Sequence, residues 1–224
     1  MAEWINTLAQ GVLLGGLYAM FAAGLSLSFG VMRMINIAHG DMIVFGGYAA
    51  IAAATWLGMP PLTTLLVVVP ALALLGYAAQ RWVFNRALGD DILRPLLLTF
   101  GLSIVIQNAL QVVFSADVRS LDVGPLASAT WELGGGVALG VLPVLVMAVG
   151  LASIAVLQWL FRHTRTGRAF RATSDDPAIA PLMGVDRQHV YAQAMAVASA
   201  VVAVAGVFLA MRTTISPTDG PSRL

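Results

Sequence analysis

The sequence predicts an all-α integral membrane protein with about six transmembrane helices, on three observations. The first is composition. Of the 224 residues, 59% are hydrophobic and 10% charged, and the mean hydropathy is +0.86; a soluble domain carries about a quarter charged residues. The second is where charge is absent. Uncharged runs cover 4–32, 42–80, 95–116, 133–161 and 188–211, and a helix needs about 20 apolar residues to cross about 30 Å of hydrocarbon. The third is the uneven spread of arginine between the connections, taken up below.

The same composition excludes several classes of function. A net charge of +1 leaves no basic face for nucleic acid. The absence of cysteine removes disulfides, thiolate metal sites and cysteine nucleophiles. All 12 cationic side chains are arginine, so Schiff-base chemistry and a lysine-bearing phosphate loop are excluded. No catalytic residue, cofactor or metal is expected. His39 has no second ligand at a suitable spacing.

Taken in order, the first span is expected near 7–31. Only Glu3 precedes it, with no basic leader, so it reads as a retained span. The run 42–80 is about twice one span, and Gly58, Met59, Pro60 and Pro61 divide it into spans near 42–57 and 62–83. The fourth, fifth and sixth spans are expected near 95–114, 136–160 and 190–211. Pro70 and Pro143 are expected to kink the third and fifth. Small residues recur every fourth position: Gly11, Gly15, Ala19 and Ala23; Gly46, Ala50 and Ala54; Ala192, Ala196 and Ala200. Such stripes let helix backbones approach closely in lipid.

With alternating spans, the connections 33–41, 81–94 and 162–187 share one side and hold nine arginines, against three elsewhere. The positive-inside rule places them in the cytoplasm and the N-terminus outside.

Three features carry functional weight. In the fourth span Thr99, Ser103, Gln107 and Gln111 lie four apart on one face, with Asn108 beside them. Such a stripe faces protein or water rather than lipid. It either bonds neighbouring helices or lines a translocation path. It holds no acid or base, which makes it a poor proton relay. The second feature is the connection 33–41, nine residues long and rich in apolar residues. It reads as broken backbone at membrane depth, facing protein or a cavity, with Asn36, His39 and Asp41 as candidate path residues. Alternatively Asn36 and Asp41 are helix caps. The third is 162–187. Arg162, Arg165, Arg168 and Arg171 recur every third residue, as on one helical stripe at lipid headgroups. Asp175, Asp176 and Pro177 then read as the start of a helix over 178–183, with Ile179, Leu182 and Met183 on one side and Gly184 as its stop. This helix either docks in a groove on another protein or lies on the lipid surface.

The stretches GGLYAMFAAGLSLSFG at 15–30 and INIAHGDM at 35–42 resemble the opening of the permease subunits of branched-chain amino acid ABC importers. TGRAFRA at 166–172 with APLMGV at 180–185 resembles their cytoplasmic coupling segment, and TISPTDG at 214–220 resembles a late extracytoplasmic stretch. The resemblance covers nearly the whole chain. It implies one transmembrane domain over 1–224, with a coupling segment at 162–189. It further implies a second homologous permease, two cytoplasmic ATPase subunits and a periplasmic substrate-binding protein in a bacterial inner membrane. Cargo would be leucine, isoleucine or valine, with urea or short amides as the alternative in the same family. ATP hydrolysis would belong to the partners. Gly167, Arg168, Arg171, Asp176, Ile179, Leu182, Met183 and Gly184 would couple to the ATPase. Pro181 departs from the family pattern and is expected to kink the coupling helix. Relatives continue beyond the sixth span, so the chain reads as cut short before further spans. An ion-coupled secondary carrier, for which Asp41 is the one candidate site, and a purely structural subunit are the rival readings.

The arginine asymmetry yields a direct test. Cysteines introduced at Asp90 and Asp122 of this cysteine-free chain are expected to be labelled from opposite sides of the membrane. Labelling of position 90 from outside in intact cells would overturn the topology.

Overall fold

The structure is a computed structural model that describes residues 2–87, 93–134 and 137–223. Position 90 lies outside the described residues. Among them six helices are long and apolar enough to cross a membrane, as the sequence predicts, and the chain is a multi-pass membrane protein.

The first span is α1, Ala2–Met32; the second is α2, His39–Leu57. Gly58 stops α2 in the left-handed region at φ 64°, a conformation glycine adopts without Cβ strain. A 3₁₀ turn at Pro61–Thr64 leads into α3, Leu65–Ala79. A π turn at Gln80–Phe84 and the single turn α4, Asn85–Ala87, prolong α3. Helix α5 covers Leu93–Phe114. The fifth span, α6, is Val141–His163, and the sixth, α8, is Arg187–Arg212; the amphipathic α7, Arg165–Asp175, lies between them.

Helix α8 is the axis of the bundle. It is buried along most of its length and packs on α1, α2 and α3. The contacts are close because glycine leaves room for backbone. A Cβ at Gly206 would strike the carbonyl of Ile43 and the backbone of Gly46 and Gly47, and one at Gly150 of α6 would strike the Gly16 carbonyl of α1. In lipid such backbone approach, rather than apolar burial, supplies the packing energy.

Several expectations are corrected. Gly11 and Gly15 are exposed with open space around them, and Gly16 makes the contact instead. A four-residue stripe has the right period, but its phase depends on where the neighbouring helix lies. Pro143 sits in the first turn of α6, where a missing N–H costs nothing, so it makes no interior kink. The fifth span begins at Val141 rather than 136 because Thr130–Gly134 and Val137–Gly140 form an antiparallel hairpin, β1 and β2. Its Ala138 N–H donates to Asn6 of α1 at 3.1 Å. The arginine stripe is broken, since Arg162 ends α6 while Arg165, Arg168 and Arg171 belong to α7, which starts afresh at the Thr164 N-cap.

Gly206→Ala is expected to lower the unfolding midpoint in detergent, by at least about 1–3 kcal/mol of overpacking. Gly15→Ala should leave the midpoint unchanged or raise it, because alanine is the better helix former by about 1 kcal/mol. Equal behaviour of the two would refute the packing assignment.

Candidate functional site

Helix α1 ends at Met32, after which Arg33 takes the left-handed conformation at φ 51°. Residues 33–38 are non-helical, and α2 begins at His39. Its neighbours fix its depth. His39 Nε2 lies 3.0 Å from the Phe21 carbonyl oxygen, eleven residues and about 16 Å up α1 from Met32. On α5, Gln107 Nε2 donates to Asp41 Oδ1 at 2.9 Å, and Gln107 lies well inside a span running from 93 to 114. Helix α2 therefore starts near the middle of the membrane, and 33–38 climbs back to it from the end of α1. The expected broken connection is present, shortened from nine residues to six because His39, Gly40 and Asp41 are already helical.

Backbone at this depth has no water to bond, and side chains replace it. Ile37 N–H donates to Thr99 Oγ1 at 3.3 Å, and Ala38 N–H to Asn36 Oδ1 at 3.1 Å. The Asn36 carbonyl accepts from His39 N–H at 3.2 Å, and Asn36 Nδ2 faces Met42 Sδ. Asn36 thus closes the turn ahead of α2 without capping it, since the N-cap position is Ala38 and takes no side-chain hydrogen bond. Asp41, expected to cap if not to line a path, instead turns toward α5.

The polar face of α5 meets this start directly. Thr99 and Ser103 are buried, and Gln107 donates both to Asp41 and to Ser103 Oγ, the latter at 3.2 Å. Asp41, Ser103 and Gln107 form one hydrogen-bonded group, Asn36 and Thr99 hold the backbone that leads to it, and the His39 ring turns away to α1. Gln111, one turn further on, is half-buried and makes no hydrogen bond to the group among the described residues. Asp41 is 1% exposed, and its Oδ2 has no hydrogen-bond partner among the described residues. A buried polar atom left bare is costly, and here it sits beside a helix N-terminus, whose dipole favours negative charge.

One part of the site lies in TISPTDG at 214–220, which by its resemblance is expected to be extracytoplasmic and not part of a site. After α8 the chain turns back along α2. Arg119 and Ile215 exchange backbone hydrogen bonds, and the Tyr48 hydroxyl lies 3.0 Å from the Ile215 carbonyl oxygen. Five residues later Gly220 packs against Gly40 and Asp41 so closely that a Cβ on either glycine would strike the opposing atoms. TISPTDG at 214–220 therefore reaches the group at mid-depth and does not stay at the membrane surface.

At the arginine-rich end, α7 places its residues differently from the expectation. Gly167 lies against the last turn of α6, where a Cβ would strike the Leu160 and Phe161 backbone, and Arg171 donates to the Phe161 carbonyl. Arg168 is exposed. Asp176 does cap, accepting from the N–H groups of Ala178 and Ile179 at 2.9 and 3.0 Å. The chain then makes a turn and a 3₁₀ helix, Ala180–Met183, in place of an α-helix over 178–183. Pro181 at its start and Gly184 at φ 81° keep it to that length. Ile179, Leu182 and Met183 are 54, 83 and 79% exposed, an apolar tip that the described residues leave uncovered.

A multi-pass membrane protein with unwound backbone and a buried carboxyl group at mid-depth has the form of a solute permease. The chain belongs to the family described as branched-chain amino acid transport system / permease component, whose profile matches residues 7–222. It is 29% identical over 222 residues to the high-affinity branched-chain amino acid transport system permease protein BraD of Pseudomonas aeruginosa, across 94% of this chain and 72% of that one. It is 27% identical over 218 residues to the high-affinity branched-chain amino acid transport system permease protein LivH of Escherichia coli K12, across 92% and 70%. The probable branched-chain amino acid transport permease protein LivH of Methanocaldococcus jannaschii is 27% identical over 218 residues, across 95% and 68%. No solved structure matches the chain.

The Gln107–Asp41 bond should show as coupling in a double-mutant cycle of Gln107→Leu and Asp41→Ala, read by thermal unfolding in detergent. A coupling of about 1–3 kcal/mol is expected for residues in contact. Strict additivity would mean the two do not interact.

Proposed function

We propose that this chain is a permease subunit of an ABC importer that carries branched-chain amino acids across the bacterial inner membrane, and that 1–224 acts as one transmembrane domain. The observation that carries the reading is Asp41, buried at mid-membrane with a free carboxyl oxygen where helix backbone is broken. An amino acid crossing there brings an ammonium group, which Asp41 Oδ2 accepts. Asn36, Thr99, Ser103 and Gln107 hold the carboxyl group and the unwound backbone in place. The names of the relatives support amino acid cargo over urea or short amides. The uncharged α5 stripe argues against a proton-coupled carrier.

The remaining partners belong to the same reading. A second homologous permease would share the path, and a periplasmic binding protein would deliver cargo. Two cytoplasmic ATPases would supply the work, engaging Ile179, Leu182 and Met183 at the arginine-rich end. Gly167, Arg168, Arg171, Asp176 and Gly184 would hold that tip in place. Burying three such apolar side chains contributes about 1.5–3 kcal/mol each, enough to dock the tip without a long helix.

Cells lacking this chain and complemented with it, together with its partners, should take up labelled leucine and not labelled urea. Asp41→Asn should lower leucine uptake at least tenfold at normal membrane abundance, since a hydrogen bond to a charged group contributes about 1.5–3 kcal/mol. Urea uptake, or full leucine uptake by Asp41→Asn, would overturn the reading.

The docking tip has its own test. Leu182→Asp combined with Met183→Asp should abolish ATPase co-purification and cargo-stimulated ATP hydrolysis while the chain still inserts. Retained association would make the segment a membrane-surface turn.

A further inference from the structure

At the arginine-rich end, α1, α6 and α7 enclose a cavity of about 430 Å³. Leu27 and Val31 of α1 and Phe170 of α7, all buried, form its back wall. Ile154 and Gln158 of α6 and Ser26 of α1 line it as well and are exposed, so it is open on the side away from the bundle. Gln158 lies five residues before the end of α6, and Ser26 six before the end of α1. At 1.5 Å per residue they stand about 8 and 9 Å in from those ends. Neither side chain makes a hydrogen bond among the described residues, whereas Ser28 and Ser153 bond back to their own helices. An exposed amide at that depth meets little water and needs a partner from outside this chain. Arg171 and Asp175 line the mouth, one turn apart on α7. Arg171 donates to the Phe161 carbonyl, which holds its guanidinium at the end of α6. Neither of the two forms an ion pair among the described residues. Deepest in the cavity are Ala23 and Ile154, each nine residues from the end of its helix. The lining thus runs from opposite charges, through hydrogen-bonding groups, to an apolar wall.

We propose that this cavity binds one phospholipid of the adjoining leaflet, with a primary ammonium in its headgroup. Arg171 donates to the phosphate and Asp175 accepts from the ammonium. Gln158 and Ser26 donate to the ester carbonyls, and an acyl chain lies along Ile154 and Ala23. The order of groups down the cavity is the order of parts down such a lipid. The headgroup layer is about 5–8 Å deep on each side of the hydrocarbon, so Gln158 and Ser26 fall at its inner boundary, where the esters lie. Arginine at the mouth suits headgroup phosphate. The carboxylate of Asp175 sets the headgroup, because it repels a lipid whose only charge is the phosphate and attracts one that adds an ammonium. The volume lies within the roughly 300–1,000 Å³ of small-ligand pockets; it takes the headgroup and glycerol while the tails stay in the bilayer. The competing occupant is a helix of a neighbouring subunit, which would meet Gln158 and Ser26 equally well. The unpaired opposite charges at the mouth favour the lipid, whose headgroup brings a complement to both.

The test counts lipid bound to the assembled transporter by native mass spectrometry. The sample is first exchanged into lipid-free detergent, and phosphatidylethanolamine, phosphatidylglycerol or phosphatidylcholine is then added back. The parent should take phosphatidylethanolamine ahead of the other two and saturate. Asp175→Asn should lower the ratio of phosphatidylethanolamine to phosphatidylglycerol by about tenfold, the effect of one hydrogen bond to a charged group. Ser26→Ala combined with Gln158→Leu should weaken all three lipids by a similar factor without changing their order. If one variant does not insert, the other decides. Preference of the parent for phosphatidylglycerol, or affinities within about twofold of the parent in every inserted variant, would overturn the proposal. Loss of a neighbouring subunit from the double variant, with lipid binding unchanged, would overturn it too and assign the cavity to a protein contact.

Discussion

In hydrocarbon, each backbone N–H and C=O must find its partner within the protein, and residues 33–38 give up the helix that would supply one. The rest of the site depends on that constraint. Thr99 must stand where it can accept from Ile37, which fixes the rotation of α5. Asn36 must fold its own side chain over the turn to accept from Ala38. With α5 rotated in this way, Ser103 and Gln107 come round to face Asp41, one and two turns further on. The polar stripe of α5 therefore bonds neighbouring segments, the first of the two readings that the sequence leaves open. Its inner end satisfies broken backbone, and its middle meets a carboxyl group that has bonding capacity to spare.

A helix that begins at mid-depth also needs its start covered by something other than lipid. The tail after α8 provides that cover through Gly220, which lies against Gly40 and Asp41. Only a pair of glycines permits this approach, because either Cβ would occupy the space of the opposing atoms. Helix α8 completes the enclosure along the other face of α2, where Gly206 admits the backbone of Ile43, Gly46 and Gly47. His39 is held to Phe21 from the α1 side. Asp41, covered by Gly220 and bonded by Gln107, is 1% exposed.

What the sequence makes legible and what it hides divide along the same physical line. Long uncharged runs report burial in lipid, so all six spans are readable, and four-residue spacing on α5 reports a shared face. The 35–42 segment is readable because apolar residues with Asn36 and Asp41 are out of place in a nine-residue surface loop. Contacts between distant segments leave no such local mark. Gly220 against Asp41 joins residues far apart in the chain, and nothing in TISPTDG says that it turns inward. The Gly15-Gly16 pair shows that a close approach is made, but not which of the two makes it; Met147 and Gly150 of α6 decide. Strand β2, Val137–Gly140, hides inside an apolar run that reads as the start of the fifth span. Pro181 does signal trouble for a helix at 178–183, and the 3₁₀ turn is the form that trouble takes.

The two ends of this architecture are joined through α7, whose Phe170 packs with Leu27, Val31, Met32 and Met34 and whose last turn hydrogen-bonds to α1 and Arg33. The Arg33 guanidinium donates to the Ser174 carbonyl at 2.9 Å, and the Ser174 hydroxyl donates to the Gly30 carbonyl at 2.6 Å. Ser174 lies in the last turn of α7, two residues before the Asp176 cap that starts the exposed tip. Arg33 is the first residue of the unwound segment, held left-handed at φ 51°. A displacement of the tip thus has two outcomes. It breaks both hydrogen bonds, or it carries Arg33 and Gly30 with it. In the second case the motion enters 33–38 at its softest point, since these residues have no helical ladder to resist bending. Three residues further on is Asn36, and five beyond that is Asp41. The break in the backbone that precedes the buried Asp41 carboxyl group is also the non-helical segment whose first residue is bonded to α7. One irregular segment therefore joins the site to the tip, and a continuous helix through 33–38 would remove both the site and its connection.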